Sequence, residues 1–93
     1  MKLSKPQIAK ELKSLKGWKA LGNSLQRTIK FSNFMEGLHF VISVAYEAEK
    51  IDHHPDVVLK YGEVIFILTT HSEKGITDKD IDLAKKINKT LGE

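Results

Sequence analysis

The sequence predicts an α+β fold: a four-stranded antiparallel sheet with three helices on one face, in the order α-β-β-α-β-β-α. Three observations lead to it. Apolar residues recur at helical spacing in three separate stretches, each opened by residues suited to a helix N-terminus. Between these stretches lie two pairs of short segments with alternating apolar residues, each pair joined at a glycine-containing turn. No linker, repeat or low-complexity segment interrupts the order, so residues 1–93 are expected to form one domain, with the helices packed on one sheet face.

Ser4 to Lys16 reads as the first helix: Ser4 and Gln7 have capping-box spacing, Ile8, Leu12 and Leu15 share a face, and Gly17 supplies the stop. Trp18 to Leu21 reads as a short strand, followed by a turn at Gly22-Asn23. In the next strand Leu25, Arg27, Ile29 and Phe31 alternate with Gln26, Thr28 and Lys30, which puts Arg27 among apolar residues facing the core. From Asn33 the period becomes helical. Asn33 and Glu36 offer a second capping box, and Phe34, Leu38, Val41, Ile42, Ala45 and Ala48 are expected to form the buried stripe of a helix ending near Ile51. Met35, Phe40, Val44 and Tyr46 lie off that stripe, and a second apolar face asks for a second partner, here a symmetry mate. Pro55 breaks the helical run. Val57 to Tyr61 and Glu63 to Thr70 read as strands about Gly62, with Val64, Phe66 and Leu68 on one face and Ile65 and Ile67 on the other. After a loop containing Gly75, Thr77 caps the last helix, Asp80 sits at capping-box distance, and Ile81, Ala84, Ile87 and Leu91 form its buried stripe.

Composition narrows the function classes. With 41% hydrophobic and 29% charged residues the chain is of ordinary globular type. It has no cysteine, which excludes disulfides, thiolate metal sites and a cysteine nucleophile. No apolar run approaches the roughly 20 residues needed to span a bilayer, and the amino terminus lacks a signal-peptide pattern, so a cytoplasmic location and no membrane partner are expected. The net charge of +3 comes from lysines scattered among acids, with Arg27 the one arginine, which argues against a nucleic-acid partner.

The chemistry concentrates between Glu49 and Asp80, in the pattern Glu49-x3-His53-His54-Pro55-x5-Tyr61-x9-His71-x8-Asp80. Three of the four histidines lie here. Histidine is the side chain whose unperturbed titration falls near neutrality, so several converging on one pocket make a proton-transfer site. His39, on the central helix, reads as a surface or interface residue.

The same residues resemble the signature of the pterin-4a-carbinolamine dehydratases. The resemblance runs from Leu15-x-Gly17-Trp18 to Ala84-Lys85-Lys86-Ile87, with Thr69-x-His71 and Gly75-x-Thr77 also in register. Two positions depart from the family: Asp56-Val57 stands where Glu-Trp is common, and Gly62 where asparagine is frequent. The missing indole removes an aromatic wall that could border a flat pterin.

The resemblance implies removal of water from a 4a-hydroxytetrahydropterin to give the quinonoid dihydropterin. That reaction involves no redox change and needs no cofactor. The leaving hydroxyl gains a proton while the adjacent ring nitrogen loses one, and imidazole serves in either capacity. On this reading His53 and His71 flank the substrate and exchange the protons, and His54 orients it. Asp80 holds one imidazole in its working tautomer, or caps its helix, or both. Glu49, an i,i+4 neighbour of His53, supports it, Pro55 fixes the chain direction, and Tyr61 serves packing or the site. The partners expected on the same reading are a small pterin substrate and further copies of this chain, as a homodimer or homotetramer. Two rivals are a three-histidine zinc site, disfavoured because no close His-x-His or His-x3-His spacing exists, and a non-catalytic pterin-binding or dimerisation-cofactor module.

Overall fold

The computed structural model describes residues 1–93. Its elements are α1 (Lys5–Leu12), β1 (Lys19–Leu21), β2 (Ser24–Lys30), α2 (Phe34–Ile51), β3 (Asp56–Lys60), β4 (Glu63–Leu68) and α3 (Asp78–Leu91), with a 3₁₀ turn at His71–Glu73 before α3. The strands form one antiparallel sheet in the order β1-β2-β4-β3. Both the expected class and the expected order are found.

Sheet parity follows from the alternation. Leu25, Arg27 and Ile29 of β2 and Val64, Phe66 and Leu68 of β4 are buried, and the register sets Arg27 opposite Phe66. Ile65 and Ile67 lie on the other face, only partly covered, beside an exposed Val58 paired with Ile65. Gly37 lets α2 approach the sheet closely, because a Cβ there would stand 3.2 Å from Val64 Cγ2 and 3.4 Å from Leu59 Cδ1.

The buried face of α2 differs from the expected stripe. Gly37, Phe40, Val44 and Ala48 point inward, while Phe34, Ile42 and Ala45 are exposed. The helix carries apolar residues on two faces, so periodicity alone does not choose between them. Aromatic packing does: Phe40 meets Phe31 at 5.4 Å and Phe66 edge-on at 5.8 Å, which rotates that side toward the sheet. The Asn33 cap is also half of the expected box. Asn33 Oδ1 accepts from the Glu36 N–H at 2.9 Å, but Glu36 Oε1 accepts from the Ser32 N–H.

α1 ends four residues before the expected Lys16. Bonds from Lys13 N–H to the Lys10 carbonyl and from Leu15 N–H to the Leu12 carbonyl tighten the chain into turns, and Leu15 enters the core. The next strand starts at Lys19 rather than Trp18, whose indole is buried instead. β3 runs Asp56–Lys60, one residue earlier than expected, and β4 stops at Leu68 rather than Thr70. Thr70 makes an isolated bridge with Gly75 and turns its hydroxyl to other work.

Arg27, the cation among apolar neighbours, is answered by a buried polar hub. Its Nη1 donates to Asn88 Oδ1 at 2.5 Å, the same oxygen that accepts from Trp18 Nε1 at 2.8 Å. Its two terminal nitrogens donate to both oxygens of Glu93 at 2.8 and 3.0 Å. Gly17, at φ +85°, leaves room for the guanidinium, since a Cβ there would meet Arg27 Nε at 2.5 Å. At the end of α3, Gly92 is left-handed and the Glu93 N–H closes on the Asn88 carbonyl, which folds Glu93 back onto Arg27. The hub ties α3 to the sheet and to the segment after α1.

The hydrogen bonds from Arg27, then its charge and that of Lys16, hold the Glu93 carboxyl below its ordinary value of 4.5. A carboxyl depressed by folding adds stability that is present above its unfolded value and is lost as pH falls through its folded value. Wild type is therefore expected to have a higher urea midpoint than Glu93→Gln at pH 7, with the difference closing on acidification below 4.5. Equal midpoints at pH 7, or a gap that persists at full protonation, would contradict the pairing.

Candidate active site

Strand register gathers the chemistry at one end of the sheet. β3 begins at Asp56, paired with Ile67, and β2 contributes Leu25 opposite Leu68. The segment His53–Pro55 that leads into β3, the Thr69–His71 segment that leaves β4, and Asn23 before β2 therefore share that end.

The end of α2 aims the first two histidines. Asp52 adopts a left-handed conformation at φ 51°, the Asp52 N–H bonds the Glu49 carbonyl, and the His53 N–H bonds the Ala48 carbonyl. This Schellman closure reverses the chain, and Pro55 then carries it into extended backbone. His53 turns inward, its side chain only 11% exposed. His54 turns out and bonds Glu49 Oε2 through Nε2, with both side chains more than half exposed. The expected Glu49–His53 contact is therefore replaced by a Glu49–His54 pair, because the chain reversal takes His53 off the face that Glu49 occupies.

Asp80 is the centre of the arrangement and is fully buried. Its Oδ1 lies 2.6 Å from His53 Nε2. Its Oδ2 accepts from the Thr70 hydroxyl at 2.8 Å and from the Thr77 N–H at 2.9 Å. The second of these is one half of the α3 capping box, so one carboxylate both caps the helix and holds the imidazole. The donors can be counted. Thr70 gives its one hydroxyl proton to Asp80 and so must accept from Thr77 Oγ1 at 2.8 Å, while Thr77 Oγ1 itself accepts from the Lys79 N–H at 3.2 Å. Against a carboxylate that accepts on both oxygens His53 Nε2 is the donor, and in the neutral ring Nδ1 then carries the lone pair. Nδ1 has no partner within the chain and is not sealed from solvent.

Thr70 directly precedes the third histidine in the chain, but Thr70 is buried and His71 is exposed, and no hydrogen bond joins the His71 ring to this network. His71 lies in the 3₁₀ turn rather than at the end of β4, because β4 stops at Leu68. It is exposed and lines an open polar cleft of about 390 Å³ with Asn23, Ser24, Thr69 and Lys74. His53 and His54 do not line that cleft. Tyr61, expected near the site, is at the turn between β3 and β4, a strand length from His53–Pro55, and is 71% exposed. Val57, at the position of the missing indole, faces inward and packs against the core. No three His, Cys, Asp or Glu side chains are grouped as metal ligands would be.

A family model described as Pterin 4 alpha carbinolamine dehydratase matches residues 1–90. The chain belongs to the pterin-4a-carbinolamine dehydratase family. A Sulfolobus acidocaldarius protein, provisionally named as a pterin-4-alpha-carbinolamine dehydratase, is 46% identical over 89 residues, covering 96% of this chain and 98% of its own. A crystal structure from Brucella melitensis, titled as a transcriptional coactivator/pterin dehydratase, superposes with a TM-score of 0.92 at 35% identity, covering 97% and 98% of the two chains. A pterin dehydratase-like protein described as a RuBisCO assembly factor shares the fold at TM-score 0.66 and 14% identity, over 82% of this chain and 88% of its own.

Within this pterin dehydratase family member, Thr70 belongs to the candidate site through its bond to Asp80, and the sequence reading missed it. It continues the inward parity of Val64, Phe66 and Leu68, and a hydroxyl on a core-facing position was the available signal. Replacing Asp80 by Asn puts an amide donor among groups that all donate. Asp80→Asn is expected to lose about 1.5–3 kcal/mol of unfolding free energy. It should also release His53 from a single tautomer, read from ring ¹⁵N shifts. An unchanged urea midpoint with an unchanged His53 tautomer would remove Asp80 from this role.

Proposed function

We propose that this chain is a hydro-lyase that dehydrates 4a-hydroxytetrahydropterin to quinonoid dihydropterin by histidine acid/base catalysis. The observation that carries the reading is the buried Asp80 carboxylate, bonded on one oxygen to His53 and on the other to the hydroxyl of Thr70, the residue before His71. Family membership supplies the substrate class.

In the reaction the C4a–O bond breaks, a C4a=N5 double bond forms and N5 gives up its proton. His53, its Nε2 proton committed to Asp80, presents Nδ1 as the acceptor for that proton. His71, with both ring nitrogens free of partners in the chain, delivers a proton to the departing hydroxyl, which leaves as water. His54, kept in place by Glu49, positions the ring. Positioned proton transfer of this kind is worth roughly 10²–10⁴-fold. Held imidazoles suit it because the geometry is set before the substrate arrives.

A homo-oligomer belongs to the same reading. The exposed face of α2 carries Met35, Ile42 and Tyr46, at 54%, 46% and 69% exposure, and a second copy would cover them. The coactivator wording attached to the Brucella structure supports a second reading, in which the chain also or instead serves as a binding module through that face.

Enzymatically generated carbinolamine, followed by quinonoid dihydropterin absorbance, separates the two. His53→Ala and His71→Ala are each expected to lower the accelerated rate about 10²-fold or more. His71→Ala should keep the wild-type urea midpoint, whereas His53→Ala should lower it by taking a donor from buried Asp80. A wild type that gives no acceleration would favour the module. Light scattering is expected to give a mass at least twice 10.5 kDa, whereas a monomer at high concentration would reject the oligomer.

A further inference from the structure

The cleft beside His71 has a charge character that the dehydration chemistry does not use. Its lining holds Lys74 with Asn23, Ser24, Thr69 and His71, and no carboxylate. The other polar clefts are different: one includes Glu73 and Asp78, another Asp82, and a third Glu47. Lys74 takes part in none of the ion pairs of the chain. The 3₁₀ turn fixes it relative to His71, with the Lys74 N–H on the His71 carbonyl at 3.1 Å.

Backbone conformation adds a second observation. Lys74 is left-handed at φ 56°, a region where glycine carries no steric cost and lysine does. A strained residue persists where the surroundings or the function require it. No hydrogen bond or ion pair of the Lys74 side chain accounts for lysine here, which leaves the cleft that its side chain lines.

We propose that Lys74 is a specificity-determining residue that binds an anionic group at the end of a short C6 side chain of the pterin. The inference rests on the dehydratase reading above, with the ring against His71. The Ser24 and Thr69 hydroxyls give their protons to the Leu21 and Asn23 carbonyls, so the groups left to meet a ligand are the Lys74 ammonium, the Asn23 amide and the His71 ring. In a cleft without carboxylates these are complementary to a phosphate or a carboxylate. The cleft volume of about 390 Å³ has room for the tail and for the edge of the ring that meets His71. The anion lies close to the ring, because Lys74 and His71 line the same cleft.

The test compares ligands that differ only in the charged group. Binding of 7,8-dihydroneopterin and its 3′-monophosphate to the full chain would be measured by calorimetry, with 6-carboxy- and 6-methyl-7,8-dihydropterin as the carboxylate pair. Wild type is expected to favour the anionic member about five- to tenfold at low salt, less as salt rises. In Lys74→Gly, which relieves the backbone and so keeps the fold, the preference should vanish while the neutral ligands bind as before. A preference in one pair alone identifies that anion as the ligand class and supports the proposal. Equal affinity within both pairs in wild type, or a preference that survives Lys74→Gly, overturns it. Dehydration of a neutral-tailed carbinolamine, assayed in parallel, tests the underlying reading separately: activity that persists beside a failed preference sinks only the role of Lys74.

Discussion

The buried carboxylate of Asp80 is the constraint on which the rest of the site depends. A carboxylate removed from water must be met by donors, and here three meet it: an imidazole from the segment after α2, a hydroxyl from the segment after β4 and a backbone N–H at the start of α3. These donors come from three different parts of the chain, so satisfying one anion also sets the relative positions of the elements that carry them. A helix cap is ordinarily a local device. Here the cap residue reaches across to a histidine 27 positions away, which makes the start of α3 part of the site.

The opposite end of α3 is anchored by a second polar group. Asn88 and Glu93 engage Arg27, and Asn88 also receives the Trp18 indole and donates to the Lys16 carbonyl at 3.1 Å. Between these two polar anchorages, Ile81, Leu83, Ala84 and Ile87 are buried. Apolar burial supplies most of the attachment, but it is non-directional and tolerates sliding. The hydrogen-bonded ends are directional, and they register the helix along its axis, so that Asp80 meets His53 rather than lying a fraction of a turn away.

Much of this was legible in the sequence for identifiable reasons. Alternation marked β2 and β4 because one face of each is buried, and Arg27 stood out as a charge at a core position. Ser4, Asn33 and Thr77 marked helix starts because unpaired N–H groups there demand acceptors. The buried face of α2 was not legible, since the helix has apolar residues on two faces and the deciding contacts with Phe31 and Phe66 are long-range. The pairing of Glu49 with His54 rather than His53 was hidden for a similar reason: it follows from the left-handed turn at Asp52, which a helical extrapolation does not contain. Tyr61 falls within the signature in sequence but at the far end of a hairpin in space, a reminder that spacing along a chain is not proximity.

On the proposed mechanism His53, set by Asp80, and His71, on the segment that leaves β4, act on one pterin ring. Crystals of the protein with a bound 7,8-dihydropterin test it most directly. Density for the bicyclic ring is expected at the sheet end where these segments emerge, with its C4a–N5 edge within reach of both imidazoles, whether from one chain or across a subunit boundary. A ring bound elsewhere, or one touching His71 while His53 stays sealed behind protein, would contradict it.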